Sequence, residues 1–194
     1  PAATVVNGEP SAVSKEPKLN ALISCQGRPQ YKAILIASTD IPPAKLINLT
    51  GEKPVTSASE LYSNGTLFHG PRLQGIKQVF NFDDSGLLAS CQLPQVSNTD
   101  CGQFVAQLHL GGSQPFAEDL LLQAMLVWAR LKYGAASLPS TIGEFISNKP
   151  MAFGDKGFLE LEVVKTTSRS LQANVALYHE NGELSTMMKG AKVT

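Results

Sequence analysis

Apolar residues between Pro115 and Gly134 (PFAEDLLLQAMLVWARLKYG) fall on every side of the helix that this stretch predicts. Leu, Ala, Met, Gln and Arg, all good helix formers, dominate it. Ser113 or Gln114 suits the start. Pro115 suits the first turn, where its missing N–H costs nothing, and Gly134 suits the left-handed position past the end. Phe116 to Tyr133 would form a rod of about 27 Å. A surface helix keeps a polar side, but Leu120 to Leu122, Ala124 to Ala129 and Leu131 leave none here, so burial all round is expected. The helix is too short and too charged at its ends for a membrane span.

Around it the pattern is that of strands. KLNALISC and QYKAILIAS, either side of Gln26–Pro29, predict a hairpin over residues 18–38, and a two-stranded unit needs a larger sheet to join. Residues 39–56, with Pro42, Pro43, Gly51 and Pro54, read as a connection. Ser57-Ala-Ser-Glu60 reads as a capping box opening a short helix that Gly65 closes. Residues 66–94 return to strands about a turn at Asp83–Gly86, and 95–114 form a loop. After the long helix come expected strands at Leu138–Asn148 and Gly157–Thr166, the latter with Phe158, Leu159, Leu161, Val163 and Val164 as its apolar set. A hairpin over Leu171–Val193 then turns at Glu180-Asn181-Gly182, Asn-Gly being the strongest short hairpin signal. From residue 66 the order is β, β, long apolar helix, β, β, β. An antiparallel sheet wrapped around one helix, the α+β hotdog arrangement, explains why that helix has no wet face. Residues 1–17 carry three prolines and read as a lead-in or linker, with a short strand at Thr4–Val6.

Composition narrows the classes. Hydrophobic residues make up 43% of the 194, enough for a globular core, and the formal net charge of +0 without a basic block excludes nucleic acid as a natural partner. Cys25, Cys91 and Cys101 are odd in number and not spaced as a metal knuckle, which suits a reducing, cytoplasmic setting. No signal peptide or transmembrane run is read, and the absent initiator Met suggests a piece of something longer.

Within the apolar helix two polar groups stand out, Asp119 and Gln123, one above the other at i and i+4. A buried carboxylate is costly unless paired or protonated, which makes Asp119 a functional candidate; complementing the helix N-terminus is its plain structural reading. Gly111-Gly112 before the helix could meet a substrate through backbone N–H groups but lacks the Lys and spacing of a P-loop. No nucleophile elbow or metal cluster is read.

LYSNGTLFHGPRLQGI (Leu61–Ile76) resembles the segment that opens the second hotdog of polyketide-synthase-type dehydratase domains, with an aromatic, Gly-Pro and then Gln. Asp119-x-x-x-Gln123 resembles the family's second motif, an Asp with Gln or His four residues on. FAEDLLLQAMLVWARLKYGAASLPSTIGEF is similar to the C-terminal dehydratase region of the first large subunit of bacterial polyunsaturated (omega-3) fatty acid synthases. The resemblance spans about residues 18–194 and implies a double hotdog. Residues 18–56 would then be tail strands of a first hotdog plus a connection, and 57–194 the second hotdog with its central helix near 116–133.

The resemblance further implies loss of water from a 3-hydroxyacyl chain held as a thioester on the phosphopantetheine of an acyl carrier protein, giving a trans-2-enoyl thioester. No metal or organic cofactor is implied. Asp119 would protonate the departing hydroxyl, Gln123 would orient it, and Phe68, Gly70 and Pro71 would line the substrate tunnel. The family's base, in a His-x-x-x-Gly-x-x-x-x-Pro motif, has no match here, so the chain alone is expected to be inactive. His109 is the substitute base weighed, His69 lies inside the second-hotdog motif, and His179 ends a hairpin. Implied partners are acyl carrier protein domains and other domains of one synthase, with a homodimer compatible. A non-catalytic hotdog serving as scaffold or carrier-protein docking surface, and a hotdog thioesterase, are the alternatives.

Overall fold

The computed structural model describes residues 18–40, 42–49, 53–95 and 114–194. The lead-in, His109, Gly111, Gly112 and Cys101 lie outside the described residues. The chain divides into two compact units, residues 1–42 and 43–194, an earlier boundary than the 56/57 division read from the sequence.

In the first unit, β1 (Lys18–Cys25) pairs antiparallel with β2 (Arg28–Ile36). The turn is tighter than expected, only Gln26-Gly27, and both residues take positive φ, 50° and 74°. That conformation suits a two-residue hairpin loop and is easy for glycine. Among the described residues this sheet has two strands only. Tyr31, Ile34, Leu35 and Ile36 are all exposed along β2.

The second unit holds β3 (Thr56–Ser57), α1 (Ala58–Ser63), a 3-10 turn (Pro71–Leu73), β4 (Ile76–Phe82), β5 (Gly86–Gln92), α2 (Pro115–Tyr133), β6 (Pro139–Thr141), β7 (Glu144–Ser147), β8 (Lys156–Thr167), β9 (Ser170–His179) and β10 (Leu184–Val193). The strands form one antiparallel sheet in the order β3-β4-β5-β8-β9-β10-β6, and β7 also pairs with β10. The capping box opens α1 as read: the Ser57 N–H donates to Glu60 Oε2 at 2.9 Å.

Register explains the core. Val79, Ala89, Leu159 and Leu177 face one another across four strands, and all four are fully buried. Leu87, Leu161, Val175 and Met188 make the next such row. Side chains alternate along a strand, so both rows present one sheet face to the helix. Against it pack Leu121, Ala124, Met125 and Trp128 of α2, in the same apolar cluster. The Trp128 ring has its one polar atom satisfied, Nε1 donating to the Asp83 carbonyl at 3.0 Å. Ala176, Tyr178 and Leu184, on the other face, form a smaller cluster with Ile47, Ile146 and Met187. Lys45 adds an N–H bond to the Gly182 carbonyl at 2.9 Å and an ion pair with Glu160 at 2.6 Å, which is why the segment after Pro43 belongs with this sheet. Gly182 has φ 83°, and a Cβ there would stand 2.3 Å from the Lys45 oxygen, so glycine is needed twice over.

Four expectations need correction. The helix is not buried all round: Leu131 is 37% exposed and Tyr133 39%. Leu138–Asn148 is not one strand but two, β6 and β7, separated at Ile142-Gly143, where a Cβ on Gly143 would stand only 3.0 Å from the neighbouring Lys189 carbonyl. In β8, Val164 is outside the core, 54% exposed, beside a register shift between Val163 and Lys165, and Phe158 is only half-buried. Residues 66–75 are loop and 3-10 turn rather than strand.

Among the described residues no helix is long and apolar enough to cross a membrane. Truncating the core face of α2 should be costly and truncating its end should not. Leu121→Ala is expected to lower unfolding stability by about 2–5 kcal/mol, and Leu131→Ala by less than about 1, measured by urea denaturation.

Candidate functional site

The site forms where the first turns of α2 meet α1 and the loop that follows it. The loop is held at both ends. The Leu67 N–H donates to the Leu61 carbonyl at 2.9 Å, and both leucines are buried, so the chain leaves α1 pinned to the core. Further on, the 3-10 turn closes through Leu73 N–H to the Gly70 carbonyl at 2.9 Å, and Gln74 Nε2 donates to the His69 carbonyl at 3.0 Å. Gly75 then lets the chain pass close to the helix: a Cβ there would lie 2.6 Å from Leu120 Cδ2.

These contacts bring four side chains together. Gln123 is fully buried, and its amide is used on three sides. Nε2 donates to Asp119 Oδ2 and to the Leu73 carbonyl, both at 2.7 Å. Oε1 accepts from the Tyr62 hydroxyl at 2.6 Å, and that hydroxyl accepts from the Ile76 N–H at 3.1 Å. His69 Nε2 lies 3.6 Å from Asp119 Oδ2, too long for a hydrogen bond but close enough for charge interaction. The His69 side chain is 7% exposed and Asp119's 27%. Among the described residues the buried His69 Nδ1 has no hydrogen-bond partner. Phe68 stacks on the His69 ring, centroids 4.5 Å apart and planes at 18°.

The plain structural role weighed for Asp119, complementing the helix start, is filled by another residue. Gln114 caps α2, its side chain accepting from the Phe116 N–H at 3.3 Å, and Glu118 Oε1 accepts from the Gln114 N–H at 3.1 Å. Asp119 turns away, toward Gln123 and His69. It is only partly buried, so the fully buried carboxylate expected from the apolar run is not what forms.

Asp119 and Gln123 are therefore brought together as read. Phe68, Gly70 and Pro71 border them but are exposed, Phe68 to 75%. A substituent on Gly70 would meet nothing within 4 Å. The sequence pattern assigns no role to His69 or Tyr62. For His69 the available signal is its place directly before Gly70-Pro71 in the resembling motif. Tyr62 reaches Gln123 across 61 positions, and nothing local marks that. Among the described residues no group of three or more His, Cys, Asp and Glu side chains could hold a metal.

A sheet wrapped around a buried helix defines the hotdog fold, and here a partly exposed carboxyl stands near the beginning of that helix. The family model described as "Polyketide synthase dehydratase N-terminal domain" matches residues 43–194, and the chain belongs to that polyketide synthase dehydratase family. It is 30% identical over 190 residues to a polyunsaturated fatty acid synthase protein of Thraustochytrium sp., a match covering 94% of this chain but only 7% of that protein. Two solved structures share the fold. The dehydratase domain of a mycocerosic acid synthase-like polyketide synthase is 14% identical with a TM-score of 0.69, covering 94% of this chain and 65% of that one. An inactive mutant of the CurK dehydratase, with one histidine replaced by phenylalanine, is 22% identical with a TM-score of 0.62, covering 95% and 66%.

Burial pushes the Tyr62 phenol up to about 12, aided by the Asp119 charge and opposed by the hydrogen bond from Ile76. It pushes the Cys91 thiol from 9.0 up to about 12 as well. Both groups are neutral in the fold, and each ionises sooner in the unfolded chain. Their stabilising contribution is complete below pH 9 and is lost as pH rises from 9 toward 12. Urea midpoints should fall across that window, and the fall should be shallower in Cys91→Ala.

Proposed function

We propose that this chain is the acid-bearing part of a dehydratase that acts on 3-hydroxyacyl thioesters within a multidomain fatty acid or polyketide synthase of the cytoplasm. The observation that carries the reading is the Asp119 carboxyl, partly open to solvent on one side and bonded to Gln123 Nε2 at 2.7 Å on the other. Hydroxide is a poor leaving group and needs a proton as the C3–O bond breaks. Asp119 supplies it, a base takes the proton from C2, and the released electron pair forms the C2–C3 double bond. Water and a trans-2-enoyl thioester leave. The substrate is carried on the phosphopantetheine of an acyl carrier protein domain, the partner this reading requires. Residues 43–194 act as the second hotdog of a pair, with the strands of residues 18–36 belonging to the first. That assignment comes from the motifs at Leu61–Ile76 and Asp119–Gln123, and not from the matched family model, whose name refers to an N-terminal domain.

The resemblance assigns the base to a separate motif. A second reading, favoured by the 3.6 Å approach of His69 to Asp119, has His69 take the C2 proton itself.

The test gives a synthase polypeptide carrying this segment a 3-hydroxyacyl carrier-protein substrate. Asp119→Asn should slow enoyl formation by about 10²–10⁴-fold while binding is kept. Full activity in that variant rejects the acid assignment. His69→Asn should leave the rate within about tenfold if the base lies in another motif, and abolish it if His69 is the base. Free acid as the main product would indicate a thioesterase, and a scaffold would give neither product.

A further inference from the structure

We infer that Tyr62 is a positioning residue for the acid: acting through Gln123, it fixes Asp119 Oδ2 as a hydrogen-bond acceptor and leaves Oδ1 to carry and deliver the proton. This rests on the reading of Asp119 as the acid. The directions of the hydrogen bonds decide it. A backbone N–H can only donate, so the Ile76 N–H at 3.1 Å occupies a lone pair of the Tyr62 oxygen. The hydroxyl proton then points to Gln123 Oε1, 2.6 Å away. The Leu73 carbonyl can only accept, so the Gln123 atom 2.7 Å from it must be the nitrogen. Both ends thus agree on one orientation of the amide. A flipped amide would set two carbonyl oxygens together at Leu73 and an N–H₂ against the Tyr62 proton.

With its orientation fixed, Gln123 has one N–H for Leu73 and the other for Asp119 Oδ2. Oδ2 is therefore an acceptor whenever the chain of bonds is intact, and a carboxyl proton placed toward Gln123 would meet that N–H. The proton of the neutral acid belongs on Oδ1. His69 Nε2 also faces Oδ2, so Oδ2 lies between two nitrogens. Burial keeps Tyr62 protonated through neutral pH, which maintains the direction of the whole chain. Tyr62 touches no reacting atom in this scheme, and its effect must pass through Gln123.

That dependence gives the experiment. In a synthase polypeptide carrying this segment, Tyr62→Phe, Gln123→Ala and the double variant are compared for dehydration of a 3-hydroxyacyl carrier-protein substrate. Tyr62→Phe should lower kcat by about tenfold with KM nearly unchanged, the loss of one oriented hydrogen bond. In the Gln123→Ala background the same change should have almost no further effect on kcat. Multiplicative losses, or a fully active Tyr62→Phe enzyme, would overturn the inference. If Tyr62→Phe fails to fold, difluorotyrosine at position 62 keeps shape and hydrogen bonding but ionises at lower pH. Its kcat should then decline at a lower pH than the parent's, and an unshifted profile would equally overturn the inference. The other ionisable groups acting on the phenol, Asp119 and Cys91, are unaltered in that variant. An inactive Asp119→Asn beside a fully active Tyr62→Phe rejects this inference alone, whereas an active Asp119→Asn rejects the reading beneath it.

Discussion

Enclosing a helix in an antiparallel sheet strips water from most of its length, and any polar side chain on the enclosed stretch must then find its partners in protein. In α2 that constraint falls on Gln123, which is fully buried. Its amide has two N–H groups and an oxygen to satisfy, and each unsatisfied one would cost about 1–3 kcal/mol. The fold meets the demand with groups from three places: the Leu73 carbonyl of the 3-10 turn, the Tyr62 hydroxyl of α1 and the Asp119 carboxyl one turn back. Satisfying one buried amide therefore fixes the position of α1, the loop after it and the acid relative to one another. The site geometry is a consequence of that requirement rather than an addition to a finished scaffold.

The sheet could not meet it alone. Its rows of Val, Ala, Leu and Met press on the apolar side of α2 but bring no donor or acceptor to Gln123. Two of the three polar partners, the Tyr62 hydroxyl and the Leu73 carbonyl, come from the segment before β4, where a short helix, a loop and a 3-10 turn stand. Gly75 matters here for space. Where the 3-10 turn passes into β4 the backbone lies so near Leu120 that a methyl group would intrude, and the Leu73 carbonyl needs that closeness to reach Gln123.

What is legible in the sequence follows from the range of the interactions. The α2 helix, the capping box before α1 and the Asn181-Gly182 hairpin rest on neighbours a few residues apart, and all appear where the pattern puts them. The pair Asp119 and Gln123 is legible for the same reason, being one turn apart on one face. Tyr62 and His69 are not, since their importance lies in contacts 61 and 50 positions away along the chain. Burial is misjudged where composition stands in for geometry. Leu131 is as apolar as Leu121, yet the first is exposed and the second fully buried, and composition does not separate them. At the break between β6 and β7, Gly143 likewise lies against the Lys189 carbonyl of a strand more than forty residues on.

Under the proposed function, Asp119 has two conflicting needs. It must be reachable, yet the groups that orient it work best where water cannot compete for their hydrogen bonds. One helical turn resolves the conflict. Asp119 stands where α2 enters the sheet and keeps 27% of its side chain exposed; Gln123, about 6 Å further along the axis, is dry. Spacing of three would also place both groups on one face, but nearer the rim. Spacing of seven would put the amide beyond the reach of the carboxyl. Four is the separation at which the orienting group is already buried and still within hydrogen-bonding distance. An Asp and a Gln at that interval, at the beginning of a helix otherwise apolar on every side, thus express a single physical compromise between access and order.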